Sequence, residues 1–222
     1  MKNREEFLER LQKSVINGDI DKAASAAKAA IEAGLDPLDC IENGLAKGVR
    51  IIGERFGRGE LFLMDLMAAA EAMKAGLEIL EPLISKRGEE VKTLGRFLIG
   101  TVSGDIHDIG KTVVAAMLTA NGFEVIDLGV DVPTEVFVDK VRELHPDILG
   151  LSALMTTTMF SQKAVIKALE EAGLRDKVKV MIGGAVVTED WAKEIGADAW
   201  AKDALDAVEK AKKLIESKKR GD

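Results

Sequence analysis

The 222-residue chain can hold one large domain or two small ones; its 47% hydrophobic content supports a packed core, and 31% charged residues argue against disorder. A net charge of -7 and a pI near 5.1 disfavour a nucleic-acid surface, which needs an excess of Lys and Arg, and suit a cytoplasmic protein. No apolar run reaches the roughly 20 residues that span a bilayer, MKNREEFLER lacks the apolar stretch of a signal peptide, and a single cysteine excludes an internal disulfide.

Residues 1–90 read as a helical cap domain, wholly helical to about residue 88. Phe7, Leu8, Leu11 and Val15 recur at helical spacing. A second, alanine-rich helix covers Asp21 to Ala33 and ends near Gly34. Asp36-Pro37 signals a new start, with aspartate as N-cap and proline at the first helical position. That third helix runs to about Phe56 and carries Cys40 as a small packed side chain. Gly57-Arg58-Gly59 breaks it. A fourth helix presents Leu66, Ala70, Met73, Leu77, Leu80 and Ile84 as one apolar seam, and Pro82 should kink its end. Short turns between these helices predict a four-helix bundle.

Lys86 to Lys92 forms a polar linker, and beyond it the period changes. Over residues 91–222, strand-like runs at Phe97–Val102, Val125–Leu128, Ile148–Leu151 and Val178–Ile182, with a short fifth near Ala199-Trp200, alternate with helical segments. The helices are placed at about 110–121, 134–144, 160–172, 189–195 and 204–218. This alternation predicts an α/β domain with an open, doubly wound, five-stranded parallel sheet, Rossmann-like or flavodoxin-like. Ligands bind such sheets at the carboxyl ends of the strands.

The segments after the five strands are Ser103 to Gly110, Gly129 to Asp131, Ser152 to Thr158, Gly183 to Ala185 and Lys202 to Ala204. All are small, polar or glycine-rich, a crevice suited to a large flat or elongated ligand. His107 is the strong coordinating residue on this rim. A lone loop histidine is more often structural, but Asp105, two residues earlier, can bond one imidazole nitrogen and leave the other for a metal. One protein nitrogen cannot build a metal site by itself. A metal at His107 must therefore arrive with most of its coordination filled, as in a tetrapyrrole-like macrocycle. Met155, Met159 and Trp191 read as packing residues, His145 as a solvated loop residue, and Lys111 as an exposed residue opening a helix.

Asp105-x-His107-x-x-Gly110, then Ser152-x-Leu154, then Gly183-Gly184, is similar to the cobalamin-binding signature. Gly53-Glu54-Arg55-Phe56-Gly57-Arg58-Gly59-Glu60-Leu61-Phe62-Leu63 resembles the helical cap of the cobalamin module in methionine synthase. The resemblance covers both halves and is nearest to the corrinoid proteins of methylamine, methanol and methoxy-compound methyltransferase systems. It implies that His107 is the lower axial ligand to cobalt, displacing the cofactor's own base, and that Asp105 and Thr158 complete a hydrogen-bond relay. Methionine synthase has serine where Thr158 stands. Gly104, Ile106 and Asp108 would touch the corrin underside, while Ser152, Thr156, Gly183, Gly184 and Ala204 would line the cleft for the nucleotide tail. Phe56 and Leu63 would shield the upper face, and Glu42 would reach the corrin edge.

The resemblance further implies a carrier that accepts a methyl group on cobalt from a substrate-specific methyltransferase and delivers it to a second methyltransferase, with a reductive activation protein as a further partner. Two alternatives stay open: the coenzyme-binding subunit of a radical mutase, which shares the lower motif, and a non-enzymatic cobalamin-dependent sensor. A receiver domain would need a phosphoacceptor Asp after the third strand, where Ser152 stands.

Overall fold

The computed structural model describes residues 2–85 and 93–221. The polar linker at 86–92, and with it the 90/91 boundary, lies outside the described residues. The chain divides into two compact units, Met1–Lys92 and Thr93–Asp222.

The N-terminal unit comprises α1 (Lys2–Ile16), α2 (Ile20–Glu32), a composite third helix and α5 (Leu63–Ser85). The third helix starts as α3 (Pro37–Asp39), passes through a π-helical turn at Cys40–Leu45 and continues as α4 (Ala46–Gly57). Aspartates begin two of these helices: Asp19 accepts the Lys22 N–H, and Asp36 those of Leu38 and Asp39. Gly44 and Gly48 let α1 lie directly on the third helix. A Cβ at Gly44 would stand 2.9 Å from Leu11 Cβ, and one at Gly48 2.8 Å from the Gln12 carbonyl oxygen. Cys40 is buried, as expected of a packed side chain, and burial pushes its thiol pKa up to about 11. Along α5, Leu66, Met73, Leu80 and Ile84 are buried, whereas Ala70 and Leu77 are half-buried; Ala69, Ala72 and Gly76 complete the seam. The helix runs on through Pro82 to Ser85.

The C-terminal unit alternates β1 (Arg96–Thr101), α6 (Ile109–Ala120), β2 (Glu124–Asp127), α7 (Thr134–Leu144), β3 (Ile148–Ser152), α8 (Met159–Glu171), β4 (Lys179–Gly183), α9 (Glu189–Ile195), β5 (Ala199–Ala201) and α10 (Ala204–Gly221). The strands form one parallel sheet in the order β2-β1-β3-β4-β5, so the winding reverses between β1 and β3. Register aligns Thr101 with Ser152, Ser152 with Gly183, and Gly183 with Ala201. Four strand ends therefore finish level, and the loops that leave them share one rim. Leu98, Leu149, Leu151, Val180 and Ile182 pack under α7, α8 and α9 around Phe137, Val165 and Trp191. The near-continuous burial of β1, β3 and β4 is what a sheet covered on both faces requires.

Candidate functional site

The loop between β1 and α6 carries Asp105 and His107. Asp105 is fully buried and satisfies both carboxylate oxygens. Its Oδ1 meets His107 Nδ1 at 2.7 Å and the His107 backbone N–H at 3.0 Å. Its Oδ2 accepts the Thr158 hydroxyl at 2.7 Å and the Leu154 backbone N–H at 2.7 Å. Burial by itself would raise this carboxyl's pKa, but the bonds from Thr158, Leu154 and His107 outweigh it and hold it well below the usual carboxylate range. An ionised Asp105 holds the imidazole proton on Nδ1, which leaves the lone pair on Nε2.

The His107 side chain is 48% exposed. Around the same rim Ile106 and Ile109, each 73% exposed, together with Leu154 and Val130, show apolar surface that a folded chain would ordinarily bury. Beside it a cleft of about 400 Å³ opens between the sheet and helices α6 and α10. Phe97, Ile99, Val113, Val114 and Met181 give it apolar walls, and Gly150, Gly183 and Gly184 expose backbone to it. His107 also borders this cleft.

The β1, β3, β4 and β5 ends bring together most of the residues expected at the site. Gly110, Ser152, Leu154, Gly183, Gly184 and Ala204 line the cleft. Ile106 and Asp108 are exposed on the His107 loop, and Gly104 precedes Asp105 with a left-handed φ of 84°. Thr158 sits against Asp105, where the relay needs a hydroxyl. Thr156 is exposed in the turn before α8 and is not among the described residues that line the cleft. Glu42, Phe56 and Leu63 belong to the N-terminal unit: Glu42 is exposed on the π-helical turn, and Phe56 and Leu63 are half-buried where α4 ends and α5 begins.

Two readings change. Lys111 is only 4% exposed, not solvated: the first turn of α6 lies over the sheet, and its ammonium pairs with Asp127 at the end of β2. Met155 is exposed rather than packed, because it lies in the turn ahead of α8. Trp191 and Met159 do pack, and His145 is exposed, closing α7 in a left-handed conformation. The glycine pair also has a structural origin. A Cβ on Gly184 would stand 1.7 Å from the Ala153 carbonyl oxygen, whereas one on Gly183 would be 3.4 Å from that of Ala201. The first is excluded by the protein's own backbone.

Sequence reasoning missed three supports. Gln162 is fully buried; its amide donates to the Leu151 and Gly183 carbonyls and its oxygen accepts the Trp191 indole N–H. A polar residue on the inward face of an amphipathic helix was the available signal. The Thr101 hydroxyl donates to the His107 carbonyl at 3.0 Å. Asp131 binds the His107 loop from the neighbouring loop, which only the folded arrangement reveals.

A B12 binding domain family matches residues 95–209, and a second B12 binding domain family matches residues 7–81. The chain is 49% identical over 215 residues to the trimethylamine corrinoid protein of Methanosarcina barkeri, covering 97% of this chain and 99% of that one. It is 49% identical over 210 residues to a corrinoid protein of Desulfitobacterium hafniense, covering 94% and 97%. Among solved structures it is similar to the methanol:cobalamin methyltransferase complex of Methanosarcina barkeri, with a TM-score of 0.86 and 35% identity over 96% of this chain and 80% of that chain. A cobalamin-binding protein of Desulfitobacterium hafniense gives a TM-score of 0.65 at 33% identity, covering 93% and 98%. With both units matched and the relatives spanned end to end, the chain belongs to the family of corrinoid proteins built on B12-binding domains.

Proposed function

We infer that the chain is a corrinoid-bearing methyl carrier that receives a methyl group from a substrate-specific methyltransferase and passes it to a second methyltransferase. The observation that carries this reading is a half-exposed histidine, held by a buried carboxylate, within exposed apolar surface beside a deep cleft. Among the described residues no group of three or more His, Cys, Asp or Glu could hold a metal ion. A single imidazole suits a metal already equatorially ligated. Ile106, Ile109 and Leu154 suit the face of a macrocycle, and the cleft suits an appended tail. Bound there, the cobalt of a corrinoid supplies a nucleophilic centre that can hold and release a methyl group.

His107 is assigned as the lower axial ligand through Nε2, in place of the cofactor's own base. Asp105 Oδ1 keeps the proton on Nδ1, and Thr158 and the Leu154 N–H keep Asp105 oriented. Gly104, Ile106, Asp108 and Leu154 are assigned to the corrin underside; Gly110, Ser152, Gly183, Gly184 and Ala204 to the tail. Phe56 and Leu63, which keep apolar surface on their own unit, are assigned to the face that carries the methyl group, and Glu42 to the corrin edge.

The relatives named for trimethylamine and dimethylamine, and the methanol complex, point to methylated amines or methanol as the donor class. A reductive activation protein is the third partner. Among the described residues no helix is long and apolar enough to cross a membrane, which is compatible with a cytoplasmic location. The match through both units favours the carrier over a mutase subunit, which shares only the lower motif.

The test is coupled methyl transfer. With hydroxocobalamin-loaded protein, a methylamine and its methyltransferase, a thiol and its methyltransferase, and a reductant, formation of the methylated thiol should require this chain and rise with its concentration. His107→Ala should lower the rate about tenfold or more. Thiol methylation that proceeds equally without the chain, or at an unchanged rate with His107→Ala, would refute the reading.

A further inference from the structure

We propose that Asp131 is a positioning residue for the Asp105–His107 pair, acting through the loop backbone without touching either ring or carboxylate. The proposal rests on the reading of His107 as axial ligand and extends it to a residue on a different loop.

Three observations carry it. Asp131 Oδ1 accepts the Gly104 N–H at 2.7 Å, and the Asp131 N–H donates to the Asp105 carbonyl at 2.8 Å. These bonds hold the Ser103–Gly104 and Asp105–Ile106 peptide groups, the second of them through the carbonyl of the residue whose carboxylate orients the imidazole. Second, Asp131 has φ of 49°, and Gly104, which it binds, has 84°. Aspartate is one of the few non-glycine side chains that take this left-handed conformation readily, and here its own hydrogen bonds to the loop hold it there. Third, the anchor is itself fixed. The neighbouring Val132 N–H donates to the Thr101 carbonyl at 3.0 Å, and Val132 pairs with Val102 in a parallel bridge beyond the end of β1.

Within this stretch the other backbone tether is local, the Asp105 N–H donating to the Val102 carbonyl at 3.1 Å. Ser161 Oγ donates to the Ser103 carbonyl at 3.2 Å on one side, and Thr101 Oγ1 to the His107 carbonyl at 3.0 Å on the other. Between them the Asp131 bonds are the ones that tie the backbone of residues 104 and 105 to a neighbouring loop. Because Asp105 is fully buried and its four bonds are directional, a small shift of its backbone is transmitted to the His107 ring.

Two substitutions separate positioning from folding. Asp131→Gly removes the acceptor while adopting the left-handed backbone without strain, and Asp131→Asn keeps both an acceptor and tolerance of that conformation. In corrinoid-free protein with isotope-labelled histidine, His145 serves as the internal reference and nuclear magnetic resonance reads the His107 tautomer. The parent should hold the proton on Nδ1. Asp131→Gly should lower the ratio of Nδ1–H to Nε2–H forms about fivefold, and Asp131→Asn should stay within about twofold of the parent. After loading with hydroxocobalamin and reduction to the cobalt(II) form, electron paramagnetic resonance should show less histidine nitrogen on cobalt in the Gly variant and recovery in the Asn variant.

A Gly variant with the parent's tautomer ratio and coordination would overturn the proposal, as would an Asn variant that behaves like the Gly variant. If the parent itself shows no histidine nitrogen on cobalt, the axial-ligand reading fails, while the tautomer comparison in corrinoid-free protein still decides the role of Asp131.

Discussion

At Asp105 burial and ionisation coexist because four donors converge on one carboxylate. The Thr158 hydroxyl is the donor that a single substitution removes with little change of shape. Thr158→Val should destabilise the corrinoid-free protein by about 2 kcal/mol, since hydrogen bonds to charged groups contribute more than neutral ones. Thr158→Ser should lose well under half of that, and urea unfolding reads both. The Asp-x-His spacing made Asp105 and His107 legible in the sequence, because two residues are all the local geometry requires. Asp131 and the Lys111–Asp127 pair were not legible: each joins separate loop or helix segments, and only the strand order brings those segments together.

The strand-to-loop junctions decide what the cleft tolerates. Gly183 and Gly184 look equivalent in the sequence, yet their surroundings differ. Gly184→Ala forces a Cβ onto the Ala153 carbonyl at a φ of 130° and should cost about 3 kcal/mol or more, enough to lower the soluble yield. Gly183→Ala meets only ordinary contact and should stay within about 1 kcal/mol of the parent while reducing corrinoid retention. Thermal unfolding and desalting after hydroxocobalamin loading separate the two effects. A Gly184→Ala protein as stable as the parent would contradict the close approach. All five strands were visible as apolar runs, but β1 begins at Arg96, one residue earlier than its apolar run. Arg96 joins the ladder because its N–H bonds Asp147 and its guanidinium bonds Glu124, partners that hydropathy does not register. The π-helical turn at Cys40–Leu45 likewise left no mark in a pattern that reads simply as helix.

Over the whole molecule, the change from helical to strand period announced two kinds of structure, and the order β2-β1-β3-β4-β5 places the switch point beneath His107. At the opposite end of the sheet, Asp147 ties β1 to α10: it accepts the Arg96 N–H at 2.9 Å and the Lys218 ammonium at 2.7 Å. Burial opposes ionisation there, but Lys218 and the Arg96 N–H prevail and hold the carboxyl below its ordinary range. A carboxyl depressed on folding stabilises the protein above its unfolded pKa, and that contribution is lost as pH falls through the folded value. Asp147→Asn should therefore cost about 1 kcal/mol at pH 7, with the deficit shrinking as pH drops below about 4. Urea unfolding across that range checks the sign; a deficit that grows on acidification would contradict it.

The assignment of His107 is tested most directly by electron paramagnetic resonance of the protein loaded with hydroxocobalamin and reduced to the cobalt(II) form. One axial nitrogen splits each cobalt line into three, or into two when that nitrogen is the heavy isotope. With the heavy isotope confined to histidine, the two-line pattern should appear, survive His145→Ala and vanish in His107→Gly. A three-line pattern in the labelled protein would mean that the cofactor keeps its own base, and a signal indifferent to His107→Gly would remove that residue from the metal.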